Sequence, residues 1–487
     1  MSPRALHAGP ALRPVKFSRL SQRGILLSLT AGQLASAGTA VATFILTLYT
    51  IGANALIWTL PIWGGGLAAT WMRIGGRPAI SWVPLVWEWS RRSLGGQLMY
   101  RARVSKPRPA GSLALPGDAA RLRQYLDPES HAVMIHDPHA ATLTVCCEVR
   151  HPAFVLLDPG EQERRVLGWG RVLSTICRSG RIARLQILEQ TLPDGGSGLS
   201  EWWRERGTHD DSWVSRVYDE LIQQAGPSGE RHLTTVSLSL DMRAAHQAIR
   251  RAGGGMAGAA SVLRQEMATV SNALRAADLQ PSPWLDEGKV AVMLRSAYDP
   301  GIAATLERNK TMGRSLATAG PVAVEEHWDR IRTDSAFHRV LWVSEWPRSE
   351  VYPGFLSPLL LTGGARRAFT VLYEPIRPDV AARQIRKQKV EHISDSAQRK
   401  RMGQIEDASQ SAELRDVLQQ EQDLVTGHGV LRYTGLVSVS APTEAELDAA
   451  VSSLEQAAIQ SALETRVLAA QQAQAFAAAA LPLARRL

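Results

Sequence analysis

The chain has 487 residues and a formal net charge of +9, a length that leaves room for two to four structural units. The basic excess is local: residues 1–110 hold 13 Lys and Arg against one acid, Glu88, which leaves 42 basic and 45 acidic residues for the rest, a net of −3. The pI therefore lends no support to a nucleic-acid function for the bulk of the chain, and anionic lipid accounts for the basic end. The three cysteines, Cys146, Cys147 and Cys177, have neither CxxC nor zinc spacing and suit buried thiols in a reducing cytoplasm.

Between Arg23 and Arg73 lie 49 residues without a single Lys, Arg, Asp or Glu. A bilayer core about 30 Å thick takes roughly 20 helical residues to cross, so the window fits a helical hairpin. One span is predicted over residues 24–48 and another over residues 54–72, with a turn at Tyr49-Thr50-Ile51-Gly52. In the first span Gly32, Ser36 and Ala40 lie four apart on one face. Small residues at that spacing let helices approach closely, either inside the hairpin or against another subunit; in so Ala-rich a segment, chance produces the same pattern. Both flanks are basic and the turn is neutral, which places both termini in the cytoplasm. Trp58, Trp63, Trp71, Trp82, Trp87 and Trp89 are available as interface anchors. The rival reading is a signal peptide cleaved near Ala35-Ser36-Ala37, but a second apolar span follows at once and a signal peptide needs none.

The remaining organisation is a basic tail (1–23), the hairpin (24–73), a juxtamembrane linker rich in Arg, Pro and Gly (74–112), and two cytosolic α+β units at 113–316 and 317–487. In the first unit, strands at 131–136 and 142–149 flank Asp137-Pro138-His139 as a hairpin. A helix over 161–177, a strand at 184–188, a helix over 213–224 and a strand at 232–240 follow, and helices then run to Asp299. In the second unit, 321–326 and 340–346 read as a hairpin, followed by an apolar turn-helix at 353–360 and a strand at 368–373 ended by Glu374-Pro375. A long helix extends from Val380 toward Thr426 and stops at Gly427-His428-Gly429. A strand at 435–440, a helix with Thr443 and Glu446 as a capping box, a strand at 465–468 and a helix over 471–480 complete a ferredoxin-like order. The parallel plan of the two units hints at duplication.

Candidate chemistry is sparse. Gly253-Gly254-Gly255-Met256-Ala257-Gly258 has phosphate-loop glycine spacing, but Ala259 and Ala260 stand where Lys and Ser/Thr are required; a junction between helices explains it. His136-Asp137-Pro138-His139 lacks a third metal partner nearby in sequence, and Asp-Pro forms turns. His209-Asp210-Asp211-Ser212 directly precedes a helix and reads as a cap. Glu201-Trp202-Trp203-Arg204 reads as core or interface rather than a base-stacking platform. The cations Arg383, Arg386, Lys387, Lys389, Arg399, Lys400 and Arg401 could touch nucleic acid or an acidic partner, but acids return along the same helix and a solvated face suffices. No catalytic, cofactor or metal constellation emerges, and the expectation is a non-enzymatic protein without cofactors.

Several stretches carry a resemblance. Trp346-Pro347-Arg348-Ser349-Glu350-Val351-Tyr352-Pro353-Gly354-Phe355-Leu356, Glu374-Pro375, Gly427-His428-Gly429 and the run from Gln471 to Pro482 stand out, with His136-Asp137-Pro138-His139 and Ala323-Val324-Glu325-Glu326-His327-Trp328-Asp329. Together they resemble an actinobacterial membrane-protein family of conjugative type IV secretion systems. Residues 317–487 further resemble the N-terminal, non-catalytic domain of the type IV secretion transport ATPase, and Leu29-Thr30-Ala31-Gly32-Gln33-Leu34 resembles the small two-span subunit of those machines. The chain stops at Leu487, where the ATPase family would start its motor. The resemblance implies a plasma-membrane structural subunit that docks a transport ATPase supplied by another chain, beside other membrane subunits and lipid. The alternative is a ring subunit of another actinobacterial secretion system such as type VII. Phe476, Leu481 and Leu483 are the expected partner anchors, with Phe355 and Leu356 next.

Overall fold

The computed structural model describes residues 14–17, 29–75, 77–103, 109, 111–194, 197–225, 229–309, 315–364, 366–401 and 408–487. Residues 18–99 form one compact unit; residues 1–17 with 100–487 form the other. The protein is a mixed α and β chain, 50% helical and 23% strand.

The smaller unit begins with α1 (Ala31–Thr50), opened by a capping box in which Gln33 N donates to Thr30 Oγ1 and Thr30 N donates to Gln33 Oε1. Gly52, at φ +96°, turns the chain into α2 (Leu56–Trp71). A two-strand ribbon, β1 (Arg73–Ile74) and β2 (Arg77–Pro78), leads to α3 (Trp82–Leu94). The expected linker is thus partly helical, and α3 exposes Val83, Val86, Trp87 and Leu94 on its surface. Ser112, at the end of the expected linker, is buried.

The larger unit has a short edge strand β3 (Met99–Arg101) and then two halves. The first runs β4 (Arg123–Leu126), β5 (Val133–Asp137), β6 (Thr142–Arg150), α4 (Pro159–Ser179), β7 (Ile182–Asp194), α5 (Ser197–Arg206), α6 (Trp213–Ala225), β8 (Gly229–Asp241), α7 (His246–Arg251), α8 (Gly255–Ala276), β9 (Gln280–Pro281) and α9 (Glu287–Tyr298). After α10 (Ala303–Arg308) the second runs β10 (Ala323–Glu326), β11 (Ile331–Arg332), β12 (Phe337–Glu345), α11 (Ser357–Leu360), β13 (Arg366–Ile376), α12 (Pro378–Arg401), α13 (Ala408–Val425), β14 (Val430–Ala441), α14 (Glu444–Gln460), β15 (Glu464–Val467) and α15 (Gln472–Ala479).

The two halves repeat one plan. Each is a three-strand meander, a helix, a strand, a helix pair, a strand inserted between the two before it, a further helix or helix pair, and a short strand returning to the meander. One sheet holds both, in the order β3-β10-β11-β12-β14-β13-β7-β8-β6-β5-β4, with β15 on β12 and β9 on β6. The halves meet where β13 pairs antiparallel with β7, from Arg367↔Thr191 to Tyr373↔Leu185. The two cytosolic units expected from sequence therefore share a continuous sheet.

Alternation along the strands sorts the core. Ala368 and Leu372 join Leu188, Leu436 and Val340 under α9 and α15, on a face common to both halves. Phe369 and Val371 point the other way, with Val437 and Val439, under α11 and α14. In the first half Val145, Cys147, Val236 and Leu238 lie under α4 and α8.

Candidate docking site

The five expected partner anchors fall into two places. Phe476 is 1% exposed, Leu481 0% and Leu483 4%. The Phe476 ring packs 5.1 Å from Tyr298 and 4.5 Å from His338, centroid to centroid. These three are core residues rather than surface anchors, and their burial has a specific cause. The end of α15 and the segment after it cross the shared face and are held by side chains of both halves. Gln186 Nε2 donates to the carbonyls of Ala478 (3.2 Å) and Leu481 (2.9 Å), and Gln186 Oε1 accepts from Ala484 N (2.7 Å). Ser237 Oγ donates to Pro482 O (3.0 Å), and Thr370 Oγ1 donates to Ala479 O (2.7 Å). The last turn of a helix leaves carbonyls without helical partners, and here the sheet supplies their donors.

Phe355 and Leu356 lie half-buried on the opposite face, beside α11. Phe355 belongs to an aromatic pocket with Trp346, which follows β12, and Tyr433 on β14. The pocket is made by backbone as well as rings: a Cβ on Gly435 would come within 2.9 Å of Trp346, so only glycine leaves the indole its place. Trp346 meets Tyr433 edge-on at 5.3 Å, and burial pushes the Tyr433 phenol up to about 12. Phe17 of the N-terminal segment fills this pocket, stacked on Trp346 at 5.1 Å, tilted against Phe355 at 5.5 Å and edge-on to Tyr433 at 5.9 Å. Beside it, Val15 N donates to Val351 O (2.8 Å) and Val351 N donates to Val15 O (3.0 Å). Lys16 Nζ pairs with Asp416 on α13 at 2.7 Å. Sequence reasoning missed Val15, Lys16, Phe17 and Tyr433 as site residues; the one signal was that Phe17 is the sole aromatic among the first 43 residues.

Of the expected helix-packing residues, Ser36 and Ala40 are buried against α2, and Gly32 is exposed with open space where a Cβ would go. Ser36 Oγ donates to Gly66 O (2.9 Å), and a Cβ on Gly66 would meet that of Ala40 at 3.1 Å. The position taken up in place of Gly32 is Gln33, whose Nε2 donates to Thr70 O (2.8 Å).

Compared with known protein families and with curated proteins, the chain matches none.

The other candidates resolve into structure. Gly253, Gly254 and Gly255 all have positive φ and form the tight turn between α7 and α8. Asp137 Oδ1 accepts from His139 N and Ala140 N, which closes the hairpin turn. Ser212 Oγ accepts from Ser215 N at the start of α6, while Asp210 accepts from the Ser212 and Ser215 hydroxyls, which hold its carboxyl below the usual range. Trp203 stacks on Tyr218 at 5.2 Å. In the basic cluster Arg383 pairs with Asp379 and Lys389 with Glu421; the side chains of Arg399, Lys400 and Arg401 lie outside the described residues. Among the described residues no three His, Cys, Asp or Glu side chains converge as a metal-holding group.

Proposed function

We propose that this chain is a membrane-anchored structural subunit of a conjugative type IV secretion machine, whose body docks a transport ATPase carried on a separate chain. The observation that carries the reading is that α1, 20 residues and apolar, is long enough to cross a membrane and is covalently continuous with a large two-half body. The charge-free α2 is the second span in this reading, shorter than α1 at 16 residues. The exposed apolar side of α3, ending in Arg91 and Arg92, suits the headgroup boundary. The strand orders β9-β6-β8-β7 and β15-β12-β14-β13 support a ferredoxin-like reading of both halves.

With Phe476, Leu481 and Leu483 buried, the ATPase contact is re-sited. The α6 helix exposes Trp213, Val214, Val217, Tyr218 and Leu221 along one side, a set of aromatic and aliphatic side chains of the kind that dominates interfaces. The test is association of the intact, detergent-solubilised chain with the cognate secretion ATPase. Trp213→Glu is expected to weaken it by about 2 kcal/mol with an unchanged melting transition. Failure of the intact chain to associate at all would overturn the docking proposal.

A further inference from the structure

The contact made by residues 15–17 has the composition of a peptide–receptor complex. One pair of backbone hydrogen bonds sets the register, Val15 with Val351. One cation meets one acid, Lys16 with Asp416. One aromatic ring enters a pocket of three, Trp346, Phe355 and Tyr433. Strand addition of this kind draws affinity from main-chain bonds and specificity from the side-chain pocket. The receptor side does not depend on the segment for its shape, because Gly435 makes room for Trp346, and Trp346 and Tyr433 already pack against each other.

The segment itself is lightly held. Among the described residues 14–17, Val15 remains 39% exposed and Lys16 is exposed, and Phe17 is the half-buried anchor. A single anchor with two backbone bonds is a weak ligand in trans, but covalent attachment supplies an effective concentration in the millimolar range.

We infer that Trp346, Phe355 and Tyr433, with Val351 and Asp416, form an exchangeable docking site for an extended hydrophobic–basic–aromatic segment, and that Val15-Lys16-Phe17 is its ligand in cis. The site gives the body a second, breakable attachment to the chain that enters α1, in addition to the permanent one through Tyr100. A partner carrying the same three-residue chemistry competes for the pocket and releases that attachment. This inference does not rest on the secretion reading.

The test uses the full chain in detergent with Phe17→Ala, which empties the pocket and leaves its walls intact. A fluorescent peptide spanning residues 11–20 is expected to bind this variant saturably. The same peptide carrying Phe17→Ala is expected to bind about tenfold more weakly. Asp416→Lys in the chain is expected to weaken the native peptide about fivefold, and Lys16→Asp in the peptide to restore it, a rescue that a folding defect would not give. Val15→Cys with Val351→Cys brings two thiols into a paired-strand geometry that a disulfide spans; a bridge within one chain supports the cis assignment. No saturable peptide binding, equal binding by the Phe17→Ala peptide, or a bridge found only between chains would overturn the proposal.

Discussion

Gln186 on β7 donates to the carbonyl of Leu481 at 2.9 Å, across 295 positions of sequence. This amide links the middle of the first half to the end of the second, and its other bonds reach Ala478, Ala484 and the Thr370 hydroxyl. Gln186 is fully buried, so no water replaces a lost partner. Gln186→Ala strands the Ala478 carbonyl and the Ala484 N–H, while Leu481 O keeps its bond from Leu483 N; each buried unsatisfied group costs about 1–3 kcal/mol. The expected loss is about 3 kcal/mol or more, read from the urea midpoint of the full chain; a loss below about 1 kcal/mol would show that the strap adds little.

Phe476 tests the core assignment. Its ring lies between Tyr298 and His338, so Phe476→Ala leaves a cavity costing about 3–5 kcal/mol. A charged substitution there is expected to abolish the cooperative melt. Retention of the melt with loss of partner binding would return Phe476 to the surface.

How far the sequence was legible varies with the range of the interaction. The α6 helix, the N-cap at Thr443, whose hydroxyl accepts from Glu446 N, and the Asp137 turn are local, and their residues announce them. β13 was expected to stop at Glu374-Pro375, yet Pro375 pairs with Leu431. Pairing with β7 ends at Tyr373, so Pro375 lies on a stretch bare on that side, where a missing N–H is tolerated. β11, only two residues long, carries no period, and its absence turned a meander into a hairpin. The duplicated plan was only hinted at because α4 has 21 residues where its counterpart α11 has four. The fusion of the halves through β7 and β13 is a pairing of distant strands that no local pattern encodes. Phe476 failed as an anchor for a related reason: an aromatic in an Ala-rich helix looks alike whether it packs on its own sheet or on a partner.

His338 makes stability pH-dependent. It is fully buried, its Nδ1 within 2.7 Å of Ser440 Oγ and its Nε2 within 2.7 Å of Thr333 Oγ1. Burial, with the Arg366 charge, pulls its pKa down to about 3. Because the folded pKa lies below the unfolded one, the neutral ring favours the fold above about pH 6.5. As pH falls from there toward 3, the unfolded chain takes the proton first. Stability is expected to drop by about 1.4 kcal/mol per pH unit, and His338→Gln is expected to flatten that slope. An unchanged slope in the variant would contradict the assignment.

The three thiols should be silent in the native state. Cys146, Cys147 and Cys177 are buried; burial raises all three, Cys147 to about 12 and Cys177 to about 11, and Cys146 higher still. Thiolate is the reactive form, so a thiol reagent is expected to label none in the folded chain and all three in denaturant. Fast native labelling of any one of them would mean a looser core than the packing implies.

In the helical hairpin, Gly66→Leu is expected to separate α1 from α2, since even a Cβ there presses on Ala40. Gly32→Leu faces open space and is expected to be neutral. Crosslinking between cysteines placed at Phe44 and Trp63, whose rings meet across the two helices at 5.2 Å, reads the difference.

The membrane tether is the claim on which the functional account turns, and its topology is directly measurable. Asn54, exposed in the connection between α1 and α2, tolerates cysteine where Gly52, at φ +96°, would be strained. In intact cells the account predicts that Asn54→Cys reacts with a membrane-impermeant maleimide while tags before residue 14 and after Leu487 stay protected until the cells are opened. Protection of Asn54→Cys, or an accessible C-terminal tag on intact cells, would contradict it.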